Sequence, residues 1–353
     1  MTADMIRDSA TRLFSRAEPV PAEGGWPGAL WDEIDAAGYP LALLSEEEGG
    51  FGLTGDEAFI ALRIAARHAA PVPLAETMAA NWLLATAGLP LAEGPAAVRL
   101  AGLPASPAAT DAPLPWGRHL ALLVGIAPDP GTGRPILRRI PLAGARWEEG
   151  LNIAGEPCDR LLSGAGPGAG PKAGPAAGER PLDLDPAVPA ALMALVRAQQ
   201  IAGAVAAALE MSVRYASERV QFGRPIARFQ AIQQYLAVMA EESAAAGAAA
   251  AMGAGALALA RSRPDRFCLL AGAAKLRCGE AAGRVAELAH QVHGAIGFSH
   301  EYPLHPLTRR LWLWRDADGR EADWARLLGE AMLARPGEGG LWPRITTLQG
   351  DFF

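Results

Sequence analysis

Arg214-Tyr215-Ala216-Ser217-Glu218-Arg219-Val220-Gln221-Phe222-Gly223-Arg224-Pro225-Ile226-Ala227-Arg228-Phe229-Gln230-Ala231-Ile232-Gln233 is the stretch on which the fold turns. Upstream of it, Ala187 to Arg219 carries an unbroken helical pattern. Gly223-Arg224-Pro225 interrupts that pattern, and Pro225 at a first-turn position predicts a second helix running to about Arg261. Pro264 predicts a third helix to about His293, followed by shorter ones over Leu304 to Trp314 and Glu321 to Ala334. Of the 21 residues from Ala240 to Ala260, 12 are Ala, and side chains that small let helices approach closely. A packed helical bundle over residues 183–335 follows, with residues 336–353 as a tail.

Working outward, residues 1–95 are also helical in pattern, with apolar residues at three and four spacing in Ala29, Leu30, Ile34 and Ala37, and again in Phe59, Leu62, Ile64 and Ala66. Glu47-Glu48-Gly49-Gly50-Phe51-Gly52 reads as a loop, and Thr54 or Asp56 can cap the helix after it. Pro71 and Pro73 break that helix, and Leu74 to Ala87 resumes it. Between residues 96 and 182 the helical period disappears. His119 to Ile126, Pro135 to Ile140 and Ala145 to Trp147 read as short strands between turns. Within this middle domain Gly164 to Gly178 holds only Gly, Ala and Pro apart from Lys172, which predicts a flexible surface loop.

The composition removes several functions. With 32 Lys and Arg against 38 Asp and Glu, the net charge of −6 leaves no basic excess to neutralise phosphates, so no nucleic-acid partner is expected. Three cysteines, Cys158, Cys268 and Cys278, show neither CxxC nor Cys/His metal spacing, so neither disulfides nor a metal site is expected and a cytoplasmic setting fits. Asp4, Arg7 and Asp8 stand where an export signal needs apolar residues. The longest uncharged apolar run, Ala244 to Ala260, is too weakly hydrophobic for an expected membrane span and reads as a tightly packed helix. Gly164-Ala-Gly-Pro-Gly-Ala and Gly253-Ala-Gly-Ala-Leu-Ala lack the strand and helix context of a dinucleotide fingerprint. No phosphate-loop, nucleophile-elbow or zincin motif occurs.

The opening stretch by itself is a helix end, a turn and a helix start with exposed arginines. It occurs together with Gln291-Val292-His293-Gly294-Ala295-Ile296-Gly297-Phe298, with Glu301-Tyr302-Pro303, and with Glu48-Gly49-Gly50-Phe51-Gly52. In this order and at these separations the set resembles the acyl-CoA dehydrogenase family over nearly the whole chain. The resemblance implies an α+β, mainly α fold: an N-terminal helical domain, a small middle β-barrel-like domain and a C-terminal four-helix bundle.

It also implies FAD as cofactor, α,β-dehydrogenation of an acyl-CoA thioester, an electron-transfer flavoprotein or similar acceptor, and a homodimer, homotetramer or heteromer with a related subunit. Arg219, Phe222 and Gln230 would reach the FAD of a neighbouring subunit, a role in which a guanidinium suits phosphate oxygens. Gln291, Val292, His293, Gly294 and Ala295 would close over the same diphosphate, Gly294 allowing close backbone approach. Ala295 stands where the family has a second glycine. The family's catalytic Glu-Gly falls on Asp318-Gly319, which makes Asp318 the candidate base, one methylene shorter than usual, and Gly319 a substrate contact. Read without the resemblance, Asp316-Ala317-Asp318-Gly319 is equally a solvated turn.

Other positions depart from the family pattern. Ala194 stands where an arginine usually helps hold substrate, and Met193 offers no acid at the alternative base position. The Thr-Glu-Pro and Gly-Ser-Asp loops that grip flavin are not found between residues 96 and 182, and Arg320-Glu321-Ala322 replaces Thr-Ser-Glu. Two functions therefore stand open: a catalytic FAD-dependent acyl-CoA dehydrogenase, or a non-catalytic subunit that completes the FAD site of a heteromeric one.

Overall fold

The computed structural model describes residues 2–17, 24–103, 112–163 and 178–333. The N-terminal part contains α1 (Ala3–Phe14), α2 (Gly28–Ala36), α3 (Ile60–Arg67) and α4 (Leu74–Thr86). Pro71 and Pro73 separate α3 from α4 as expected. Thr54 precedes a single 3-10 turn, Gly55–Phe59, without a side-chain capping bond, because Asp56 is drawn to Arg63 at 2.6 Å. α4 is buried along nearly its whole length, so its one acid, Glu76, requires a partner in the interior.

The middle part is strand-rich, and among the described residues its strands form no closed barrel. Among the described residues its seven strands form two open sheets. β1 (Ala96–Leu100), β3 (Leu122–Pro128), β4 (Pro135–Pro141) and β7 (Glu179–Pro181) make the larger one, in the order β1-β3-β4-β7. β2 (Leu114–Pro115), β6 (Cys158–Ser163) and β5 (Arg146–Glu148) make the smaller, in the order β2-β6-β5. The strands of the smaller sheet pair over two or three residues each, too few to carry a ladder around to the other sheet. The expected strand at His119 begins instead at Leu122, because Gly117–His119 forms a 3-10 turn. The expected flexible loop falls almost entirely on residues 164–177, and the expected tail on 336–353, both outside the described residues.

The C-terminal part is helical. α5 (Val188–Glu218) is followed by a hairpin of β8 (Val220–Gln221) and β9 (Arg224–Pro225). Then come α6 (Gln230–Ala256), α7 (Pro264–His293), α8 (Leu304–Asp316) and α9 (Glu321–Leu333). Four of these helices match the sequence expectation closely, since a proline at the start and apolar periodicity define α5 and α7 unambiguously. α6 does not: it starts at Gln230, not Pro225. Phe222 and Gly223 both adopt positive φ, 53° and 77°, which closes a two-residue hairpin turn whose strands consume residues 220–225.

α5 is the axis of the molecule. Its first half is buried on all sides, against α3, α4, α6, α7 and α8. Two apolar cores share it: one joins α1–α4, the larger sheet and the start of α5, and the other joins the far half of α5 to α6, α7 and α8. A helix buried all round is apolar by necessity, and the polar exceptions on α5, Arg197, Gln199 and Gln200, must find partners inside. Gln199 donates to the Ala250 carbonyl at 2.7 Å. The alanine-rich α6 packs through Met239, Ala246, Ala250, Gly253, Ala254 and Ala256; Ala240, Ala244 and Ala248 are exposed, so the expected tight packing holds on one face. α5 and the segment Gln230–Leu259 are long and apolar enough to cross a membrane by composition; 89% of the apolar window in α5 and 28% of that in the second are buried within the chain.

Candidate functional site

α8 ends when the Ala317 amide donates to the Leu313 carbonyl at 3.0 Å, and the next two residues turn sharply, Asp318 at φ 54° and Gly319 at φ 96°. Left-handed geometry at a non-glycine residue costs free energy and persists only where the surroundings enforce it. Here they do. Lys275 of α7, 1% exposed, donates from Nζ to the carbonyls of Arg315 and Gly319, both at 2.7 Å. Trp324 Nε1 donates to the Asp318 carbonyl at 3.0 Å. A β-carbon at Gly319 would lie 2.4 Å from Trp324 Nε1, so only glycine fits.

The Asp318 carboxylate meets Arg197. Arg197 Nε donates to Asp318 Oδ2 at 2.8 Å, Nη2 pairs with Glu76 Oε1 at 2.7 Å, and Nη1 donates to Gln200 Oε1 at 2.8 Å. Arg197 and Glu76 are almost fully buried, while about a quarter of the Asp318 side chain remains exposed. Burial works against the Arg197 charge, but the two carboxylates more than offset it and hold the guanidinium firmly protonated. Burial pushes Lys275 down to about 8, against the pull of Asp318 and Glu321. Beside Arg197 lies a cavity of about 40 Å³ lined by Glu76, Trp116, Asn152, Glu156 and Gln200 among others. That volume is of the order of a single water's share of liquid, about 30 Å³.

The other candidate residues gather at the opposite end of α5. Arg219 is its C-cap, and its carbonyl accepts from the Ile226 amide at 2.8 Å, which closes the hairpin. Phe222 at the tip is 92% exposed. Arg224 lies 4.3 Å above the Phe229 ring, and Gln230 is the exposed first residue of α6. His293 joins this region to α7 by stacking on Tyr215, with ring centroids 4.5 Å apart.

Of the predicted Gln291–Ala295 segment, Gln291, Gly294 and Ala295 are exposed. Gly294 has φ 62° and nothing within 4 Å of a built β-carbon. Val292 and His293 point inward; His293 Nδ1 is bonded to the Ala289 carbonyl at 2.8 Å, and burial pushes its pKa down. The two thus support the segment from beneath, and their side chains are not on its open face. Gly319 is likewise buried, with its carbonyl already occupied by Lys275.

The structure therefore brings Arg219, Phe222, Gln230 and Gln291–Ala295 to one end of the bundle and leaves Asp318 at the other. Arg197 and Arg219 are 22 residues apart on α5, about 33 Å at 1.5 Å per residue. No single small group can touch both ends. Sequence reasoning missed Arg197, Glu76 and Lys275. For Glu76 and Arg197 the available signal was a lone charge in an apolar helical run, since buried charges are rare unless paired; Lys275, followed by Arg277, carried no such signal.

Residues 191–333 match the family model described as acyl-CoA dehydrogenase, C-terminal domain. An acryloyl-CoA reductase (NADH) of Anaerotignum propionicum is 38% identical over 110 residues, 31% of this chain and 27% of that protein. The first curated relatives are matched over only 27–31% of their own length. A longer match, 27% identical over 318 residues, covers 87% of this chain and 89% of the acyl-CoA dehydrogenase IpdE2 of Mycobacterium tuberculosis. Among solved structures, one chain of the ChsE4-ChsE5 complex from Mycobacterium tuberculosis superposes with a TM-score of 0.75 at 20% identity, covering 95% of this chain and 96% of that one. At that identity the likeness shows the fold.

Proposed function

We propose that the chain, whose residues 191–333 match the acyl-CoA dehydrogenase C-terminal domain, is a member of that family and serves FAD-dependent α,β-dehydrogenation of an acyl-CoA thioester in an assembly of two or more subunits. The observation that carries this reading is the separation of its two half-sites along α5. Asp318 lies at the end where Arg197 is buried, and the exposed Arg219–Phe222 hairpin lies about 33 Å away. In an oligomer, each half-site belongs to a different flavin.

The exposed hairpin fits an FAD held by a neighbouring subunit. Arg219 and Arg224 supply charge for a diphosphate, Phe222 offers an unburied ring, and Gly294 leaves its backbone open on that side. Bound FAD supplies the acceptor for the β-hydride. Within this chain, Asp318 takes the α proton. Its carboxylate is oriented by Arg197, and Lys275 and Trp324 hold the turn that presents it. The electron acceptor follows the family expectation, an electron-transfer flavoprotein or similar.

A second reading, a non-catalytic subunit completing a related partner's FAD site, is favoured by one specific observation. Asp318 is already engaged by an arginine that also binds Glu76, and the adjoining cavity is too small for an acyl chain. Catalysis by this chain requires Asp318 to leave Arg197 and the cavity to open. Anaerobic addition of an acyl-CoA to the purified chain separates the readings. Bleaching of bound flavin, lost in Asp318→Ala, supports the first. A protein that becomes yellow only with a second subunit, and whose turnover is indifferent to Asp318→Ala, supports the second.

A further inference from the structure

We propose that Lys275 is a positioning residue for the Asp318 carboxylate, a role that rests on reading Asp318 as the base. The lysine stands in the middle of α7 with 1% exposure and makes no direct ion pair among the described residues. Its ammonium is instead spent on two carbonyls that bracket the turn, Arg315 in the last turn of α8 and Gly319 just past Asp318. Helix ends leave their last carbonyls without partners, and ordinary capping satisfies them with backbone amides, glycine or solvent. A buried lysine is a costly way to do the same work, because desolvating an ammonium disfavours it.

The cost is matched by what the charge can do. The groups facing Lys275 are Asp318 and Glu321, which favour its proton, Arg197, which opposes it, and the buried Cys278; Arg315, whose carbonyl it binds, spends its side chain on Glu321 at 2.6 Å. Lys275 and Arg197 thus approach the Asp318 turn from two helices. Arg197 contacts the carboxylate, and Lys275 fixes the backbone on either side of it while adding a second positive charge. With Trp324 on the Asp318 carbonyl, the carbonyls of residues 315, 318 and 319 are all taken by side-chain donors. The side chain of Asp318 has little freedom left except at its own χ angles. For a base one methylene shorter than glutamate, that constraint sets whether the carboxylate reaches the α proton.

The test uses the full chain in its flavin-loaded assembly, with butyryl-CoA as the probe thioester. Lys275→Met removes the donors and the charge; Lys275→Gln keeps N–H donors and removes the charge. In Lys275→Met, hydrogen exchange at residues 317–320 is expected to speed at least about tenfold. Its kcat is expected to fall on the order of a hundredfold, with KM and flavin content unchanged. In Lys275→Gln the acid limb of the kcat profile is expected to move to higher pH. Unchanged exchange in the first variant, or a superimposable pH profile in the second, overturns the proposal, and the Gln variant carries the test if the Met variant does not fold. Full turnover in Asp318→Ala sinks the base assignment instead, leaving exchange at the turn as the separate measure of Lys275.

Discussion

Arg197 Nε donates to Asp318 Oδ2 at 2.8 Å and thereby ties the first half of α5 to the turn after α8, with 121 residues of chain between them. The same guanidinium reaches Glu76 on α4, so one side chain joins α4, α5 and the turn after α8.

Removing this hub is expected to be costly. Arg197→Met leaves the Glu76 carboxylate buried without its cation, a change worth about 3–5 kcal/mol. Denaturant midpoints should fall accordingly, and adding Glu76→Gln should recover part of the loss. Equal midpoints for wild type and Arg197→Met would contradict the pairing.

The hairpin tip should behave in the opposite way. Phe222 is 92% exposed, so Phe222→Ser is expected to change stability by no more than about 0.5 kcal/mol. Flavin retention by the assembly should nevertheless fall, measured as the ratio of flavin to protein absorbance after gel filtration. Arg219→Ala should lower it further.

The Asp318-Gly319 turn has no room for a side chain. Gly319→Ala meets Trp324 and puts a β-carbon at φ 96°, which is expected to destabilise the fold by at least about 2 kcal/mol. Thermal denaturation checks this, and loss of the Trp324 fluorescence environment should accompany it.

Stability should also fall in mild acid. Burial lowers the pKa of His290 and His293, so the folded chain binds fewer protons than the unfolded chain below the ordinary histidine value of 6.5. Their contribution is complete above about pH 6.5 and is lost as the pH falls through the lowered folded values. His293→Phe, which keeps a ring against Tyr215, should flatten the dependence of the denaturant midpoint between pH 7.5 and 5.5.

α5, α7, α8 and α9 could be read in the sequence because prolines mark two of the starts and apolar periodicity runs through all four. The Arg219 and Gln291 segments were readable as a resemblance, and the fold joins them at one end of the bundle through Tyr215 and His293. The hairpin before α6 was not readable: Gly223-Arg224-Pro225 signals a break, and whether the chain restarts as helix or strand depends on Phe222 accepting positive φ. Nor was the Glu76–Arg197–Asp318 network, because pairing across 121 residues on each side is decided by helix packing and leaves no local pattern. Among the described residues the middle strands form two open sheets where a barrel-like domain was expected, because which distant strands pair is decided by tertiary packing and leaves no local pattern.

Subunit complementation tests the central claim most directly. Asp318→Ala chains and Arg219→Ala chains, each defective alone, are mixed, dissociated and reassembled. Anaerobic flavin reduction is then followed with acyl-CoA thioesters from butyryl to palmitoyl. If the two half-sites serve different flavins, mixed oligomers regain sites in which an intact Asp318 from one chain meets an intact Arg219 from the other, and reduction returns. If both residues act on one flavin from within one chain, every reassembled site carries a defect and no reduction is recovered.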